Sequence, residues 1–272
     1  MGKQEVLYYS SSAIYTFFIW VLILFYALDS LFACIQLLKP LYSLYKKRIV
    51  LIFLLIIISC IIRIITLVTI KEVQLYQLYL LICSHCTCYQ GILLALSSII
   101  FDLSVSLNNN LSQLVKLKLI KYSRFIAFTI PALYAIFMML FSIKTDDVKL
   151  FIVNIVFWFV SFCIFSTIAY YLYYKIKPIY VYGLSYNARK AIKFFFYLFL
   201  SFIIVGVGFN SIIQAASQCF ENVEFLTLMT FCEFLLCDII PFSVFLIAFA
   251  LNREEESQSF LLIDEKEFIS SN

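Results

Sequence analysis

Apolar positions along this chain neither alternate nor recur on a single helix face. They come in seven long runs separated by short polar stretches, near 13–38, 49–70, 76–105, 125–143, 150–174, 194–216 and 225–251. A bilayer core about 30 Å thick is crossed by ~20 residues of α-helix at 1.5 Å per residue, so every run is long enough to span. The breaks hold the charges: Lys39-Pro40 to Arg48, Lys71-Glu72, Asn108 to Arg124, Lys144 to Lys149, Lys175 to Lys193 and Gln218 to Glu224. The pattern predicts an all-α, polytopic membrane protein, a seven-transmembrane-helix bundle over residues 1–252 with an acidic tail at 253–272. The first run is too long, and carries Asp29 too far inside it, for a cleaved signal peptide.

Composition excludes a soluble fold. Apolar residues are 64% of the 272 and charged residues 13%, against roughly 45–50% and 25% in soluble domains. Such a chain needs lipid as its outer solvent. Orientation follows from Lys and Arg, which resist translocation in short loops. Fifteen of the twenty basic residues fall on the side holding Lys39 to Arg48, Lys116 to Arg124, Lys175 to Lys193 and the tail. Four fall on the other side, and Arg63 lies within a span. The N-terminus is therefore expected on the luminal or extracellular face and the C-terminus in the cytosol. The sequon Asn110-Leu111-Ser112 falls on the cytosolic side, so a glycan there would invert the topology.

Charge inside the membrane is the strongest candidate chemistry. An ionisable group at mid-helix costs about 2.5–3.5 kcal/mol to insert and requires a partner or water. Asp29, Arg63, His85, Asp102, Glu233 and Asp238 all fall inside spans. Arg63 matches the depth of Asp238 and Glu233, which predicts a pair with one of them that ties the second span to the seventh, Asp29 being a third candidate. Such a pair fixes helix register. Alternatively, Asp29, His85 and Asp102 are candidates for a ligand, coupling-ion or proton site. Asp102, near a helix end, is expected at the interface capping polar backbone. Pro241 removes a backbone hydrogen bond and crowds the preceding turn, so the seventh span is expected to kink there, as a hinge or as fixed bent packing.

The remaining motifs are weaker. Cys83-Ser84-His85-Cys86-Thr87-Cys88 has a metal-like composition, but on one helix His85 and Cys88 point away from Cys83 and Cys86. Packing is the expected role, with a Cys83–Cys219 disulfide as an alternative. Gly206 and Gly208 are ordinary transmembrane glycines or sites of close helix contact. The tail segment around Phe260-Leu261-Leu262 resembles an acidic dileucine sorting signal. With one histidine and no Gly-rich phosphate loop or nucleophile elbow, the chain is expected to be neither an enzyme nor a cofactor or metal binder. Its basic residues, spread among short loops, do not suit nucleic acid.

Three segments resemble a eukaryotic seven-helix family that includes the plant tobamovirus-multiplication proteins and the animal orphan-receptor-like lysosomal membrane proteins. They are Glu5-Val6-Leu7-Tyr8-Tyr9 with Ile35-Gln36-Leu37, the second span around Arg63, and Asp238-Ile239-Ile240-Pro241 running to Leu251-Asn252-Arg253. The last is similar to an acid-x-x-Pro element, with Asp where the family usually has Glu. The resemblance implies a receptor-like protein of vacuolar or lysosomal membranes that recruits cytosolic partners, small GTPases among them, and it implies an inter-helix role for Arg63 and Asp238. The function expected is that of a scaffold. The alternatives are a G-protein-coupled-type small-ligand receptor, a proton-coupled transporter and a structural subunit of a larger membrane complex. Plasma and mitochondrial inner membranes are the alternative locations.

Overall fold

The computed structural model describes residues 13–38, 46–69, 75–106, 112–122, 186–210, 212–213 and 223–256, with scattered helical positions between 125 and 174. Nearly every described residue is helical. Lipid offers no partner for backbone N–H and C=O, so a spanning segment must satisfy them within itself. This is why even the β-branched run Ile56-Ile57-Ile58 lies in a helix. The first three helices are α1 (Ala13–Leu38), α2 (Lys46–Thr69) and α3 (Leu75–Ser106). Helix α4 (Tyr186–Ser201) continues into a π-helical stretch, Phe202–Phe209. The last rod runs through α5 (Val223–Cys232), a second π-helical stretch Glu233–Ile239, and α6 (Ile240–Glu256).

Among the described residues, five stretches are long and apolar enough to cross a membrane: Thr16–Leu38, Lys47–Thr69, Ser84–Asp102, Ile192–Phe209 and Leu228–Ala250. The molecule is a helical membrane protein. The expected fourth and fifth spans lie mostly outside the described residues, as do Glu5 to Tyr9, the Asn110 sequon, Cys219 and the tail beyond Glu256.

Side-chain contacts fix the directions. Ser59 meets His85 while Arg48 meets Ser98 and Asp102, so α2 and α3 run antiparallel. Tyr26 meets Asp238 and Asp29 meets Ser243, so α1 runs parallel to the last rod. The packed neighbours are α1 with α2, α2 with α3, α3 with α4, the two π-helical stretches with each other, and α6 with α1. These contacts close a ring. Helix α3 is the least hydropathic of the five stretches and the most enclosed, with 83% of its stretch buried against 22% in α1. The buried polar side chains thus sit within a core that is still mainly apolar, while large apolar side chains such as Trp20, Leu31 and Ile58 are left facing outward. Hydroxyls that lie along the helices bond backward to carbonyls three or four residues earlier, as Thr66 does to Ile62 at 2.7 Å and Ser97 to Leu94 at 3.0 Å.

Three boundaries differ from expectation. Lys46 to Arg48 open α2, and Arg189, Lys190 and Lys193 fall in α4, where the sequence suggested loops. Long basic side chains tolerate a helix end because an apolar stem can stay in the bilayer while the charge reaches outward. The last helix likewise continues to Glu256, beyond the expected end at 251.

The Pro241 region also departs from a simple kink. Proline has no N–H and its ring presses on the preceding turn. The chain answers by widening that turn: Ile240 N–H reaches back five residues to the Leu235 carbonyl, and an α-helix resumes from Ile240. The wide turn carries Asp238, buried, toward the bundle axis.

Candidate functional site

Asp238 is the centre of a four-helix polar cluster. Its Oδ2 accepts from Arg63 Nε at 2.8 Å and from the Tyr26 hydroxyl at 3.0 Å, while its Oδ1 lies 3.1 Å from His85 Nε2. A carboxylate only accepts, so Nε2 carries the hydrogen. In the neutral ring Nδ1 is then the lone-pair nitrogen, and it takes the Ser59 hydroxyl at 2.6 Å. The cluster in that form holds one cation and one anion. All five residues are buried, Arg63 being the most exposed at 5%. The guanidinium carbon also sits 4.4 Å from the Phe234 ring centroid, where the ring's negative face adds to its stabilisation.

The sequence offered three acids for Arg63, and the structure places Asp238 on it. Glu233 is half-buried five residues earlier, on the same π-helical stretch. Asp29, the third candidate, does not reach the guanidinium. Its Oδ1 instead accepts from the Ser243 hydroxyl at 2.8 Å. Ser243 lies five residues beyond Asp238, so this contact is ~7 Å nearer the Arg48 end of the bundle. His85, read as a packing residue or proton-site candidate, bridges α2 to the last rod.

Asp102 departs from the interfacial capping role. It is buried, forms an ion pair with Arg48, and Arg48 Nη1 donates to Ser98 Oγ at 3.3 Å. Arg48 had been assigned to a loop, but one more turn of α2 brings it level with the end of α3.

Tyr26, Ser59, Arg48 and Tyr89 were not singled out by the sequence, though spacing pointed to two of them. Tyr26 precedes Asp29 by three residues and Ser59 precedes Arg63 by four, so each shares a helix face with a residue already marked as inward. Tyr89 is fully buried, and its hydroxyl donates to the Phe202 carbonyl at 3.3 Å. A Cβ on Gly206 would lie 1.4 Å from that hydroxyl oxygen. Gly206 is therefore a close-contact glycine. Gly208 is less constrained, a Cβ there meeting a Phe162 ring atom at 3.1 Å.

An aromatic plug fills the bundle from Asp238 toward the Arg48 end. Phe202 lies 5.4 Å from Tyr89 and 6.1 Å from Phe242, and Phe53 lies 5.6 Å from Phe245 and 5.1 Å from Phe249 between ring centroids. These rings come from α2, α3, the stretch after α4, and α6. Among the described residues, no three His, Cys, Asp or Glu side chains gather as a metal site. In the Cys83–Cys88 segment, His85 is engaged by Ser59 and Asp238, and Cys86 and Cys88 are in no disulfide.

Fold and site together define a helical integral membrane protein whose last helix is tied to three others through one carboxylate. No family model matches the chain, and no curated protein or solved structure matches it at a significant level.

Proposed function

We propose that this protein is a seven-span, receptor-like membrane scaffold without catalytic activity, its N-terminus luminal and its tail cytosolic, which recruits soluble partners through its basic cytosolic face. Three hydrogen-bond donors from three helices converge on Asp238, and this is the observation that carries the reading. A carboxylate so fully engaged is suited to holding helices in register and poorly suited to releasing a proton or gripping a substrate. The aromatic plug beside it favours a closed bundle over a conduit. Lys47, Lys118, Lys121 and Lys193 are exposed on described helices, and the charge distribution assigns all four to the cytosolic side. The resemblance through Arg63 and Asp238 adds a vacuolar or lysosomal membrane and small GTPases as a partner class.

Proximity labelling from a tag on the C-terminus tests this reading, with wild type compared against a Lys118→Glu/Lys121→Glu/Lys193→Glu variant. The expected result is enrichment of soluble cytosolic proteins by wild type and its loss in the variant at equal membrane abundance. Labelling of luminal proteins would overturn the orientation. Labelling of the same membrane-embedded neighbours by both proteins would replace the scaffold by a structural subunit.

A further inference from the structure

We infer that Asp29 and Ser243 form a binding site for one small monovalent cation, a sodium-sized ion, inside the bundle. Three aspartates are buried among the described residues, namely Asp29, Asp102 and Asp238. Arg63 neutralises Asp238 and Arg48 neutralises Asp102. Among the described residues no guanidinium or ammonium pairs with Asp29, and the Ser243 hydroxyl is the donor on its Oδ1. Its Oδ2 is buried and meets no hydrogen-bond donor among the described residues, although the side chain belongs to a residue only 7% exposed.

Two deficits coincide at one side chain, an uncompensated charge and an unpartnered oxygen, and both are costly away from water. A proton on Oδ2 would cancel the charge but leave a buried hydroxyl with nothing to donate to. A cation against Oδ2 and the lone pairs of Ser243 Oγ removes both deficits together. A divalent ion is a poor match, because hard divalent cations recruit several carboxylates or keep much of their water. Asp29 supplies one carboxylate. Among the described residues the Cys60 thiol on α2 lies within electrostatic range of Asp29, and Asp238, five residues before Ser243 on the last rod, is already engaged by Arg63. Asn210 also buries an unpartnered amide oxygen, but it carries no charge with which to hold an ion. The inference depends on the bundle geometry alone and stands whether or not the protein recruits cytosolic partners.

The test is thermal unfolding of the full-length protein in detergent, with NaCl titrated against choline chloride at constant ionic strength and constant pH. Wild type is expected to show a saturable, sodium-dependent rise of roughly 3–6 °C at ten times the half-saturating concentration. Asp29→Asn, which keeps the shape and removes the charge, is expected to lose the response. Ser243→Ala is expected to raise the half-saturating concentration by roughly tenfold, as for loss of one oxygen ligand to a charged group. If wild type shows no difference between sodium and choline, the inference fails, and a shift of the unfolding temperature in a second series, with pH varied at fixed salt, would identify a proton as the occupant instead. A sodium response retained in Asp29→Asn would place the ion elsewhere. Should Asp29→Asn not fold, the wild-type salt series and Ser243→Ala decide the matter.

Discussion

The ion pair at the centre of the bundle can be tested by a double-mutant cycle of Arg63→Leu and Asp238→Leu. With the Arg63 Nε to Asp238 Oδ2 distance at 2.8 Å, charge centres about 4 Å apart and an effective dielectric near 20, the attraction is about 4 kcal/mol. Arg63→Leu strands the carboxylate with Tyr26 and His85 as its neutral donors. Asp238→Leu strands the guanidinium over the Phe234 ring. Each single change should cost about 3–5 kcal/mol, the penalty for leaving one buried charge unpaired. The double variant holds no stranded charge. It leaves Tyr26 Oη and His85 Nε2 without an acceptor, at about 1–3 kcal/mol each. Its total cost should thus match that of one single variant and fall well short of the sum. At roughly 2–4 °C per kcal/mol for a protein of this size, thermal unfolding in detergent should show each single variant lowered by ~6–20 °C. The double variant should be lowered by a similar amount. Costs that add to within about 0.5 kcal/mol would mean that the two side chains act independently, and the pairing argument would be refuted.

The Arg48–Asp102 pair should behave in the same way: Arg48→Leu and Asp102→Leu are each expected to lower the unfolding temperature, and the double variant by about as much as either one, well short of their sum. Gly206→Ala forces Tyr89 off the α4 rod and is expected to cost about 1–3 kcal/mol, measured as reduced thermal stability and reduced monodispersity on size exclusion. Gly208→Ala, opposite a ring edge that can shift, should cost less than Gly206→Ala, and an equal loss would contradict the Tyr89 contact. Ser59→Ala leaves His85 Nδ1 without its donor and should cost about 1 kcal/mol. The same substitution in an Asp238→Leu background, where His85 is no longer anchored, should cost less.

The spans described here were legible because a membrane imposes a length and a composition at once, and the described helix α1, Ala13–Leu38, falls on the first apolar run. Depth matching also located the partner of Arg63 in a short list of acids. What pattern alone does not carry is azimuth. Whether Asp29 or Asp238 faces the guanidinium depends on the rotation of α1 and the last rod about their axes. That rotation is set partly by the wide turn ahead of Pro241, and a 3.6-residue period cannot anticipate an extra residue in a turn. Arg48 was missed for a different reason. Counting it among the basic residues that set orientation treated it as solvated, whereas an acid at the same depth on the neighbouring antiparallel helix gave it a buried partner. Tyr26 and Ser59 were recoverable, since each sits one turn from a residue already recognised as inward.

The two π-helical stretches bear on why polar residues could be concentrated here at all. A π turn widens the helix and offsets its hydrogen-bond ladder, which lets a side chain or another helix approach the backbone more closely. In the α4 rod the stretch Phe202–Phe209 contains Gly206, and Tyr89 from α3 closes on it and donates to the Phe202 carbonyl. In the last rod the stretch Glu233–Ile239 carries Asp238 to its three donors. The two stretches pack against each other, so the irregular backbone of one rod has that of the other as a neighbour, in a setting where carbonyls left unsatisfied toward lipid would be costly. The polar cluster and the irregular backbone are therefore one feature. Returning the last rod to regular α-helix would rotate Asp238 relative to Arg63, His85 and Tyr26, so a deletion of one residue between Glu233 and Asp238 should disrupt the bundle more than the Asp238→Leu substitution does.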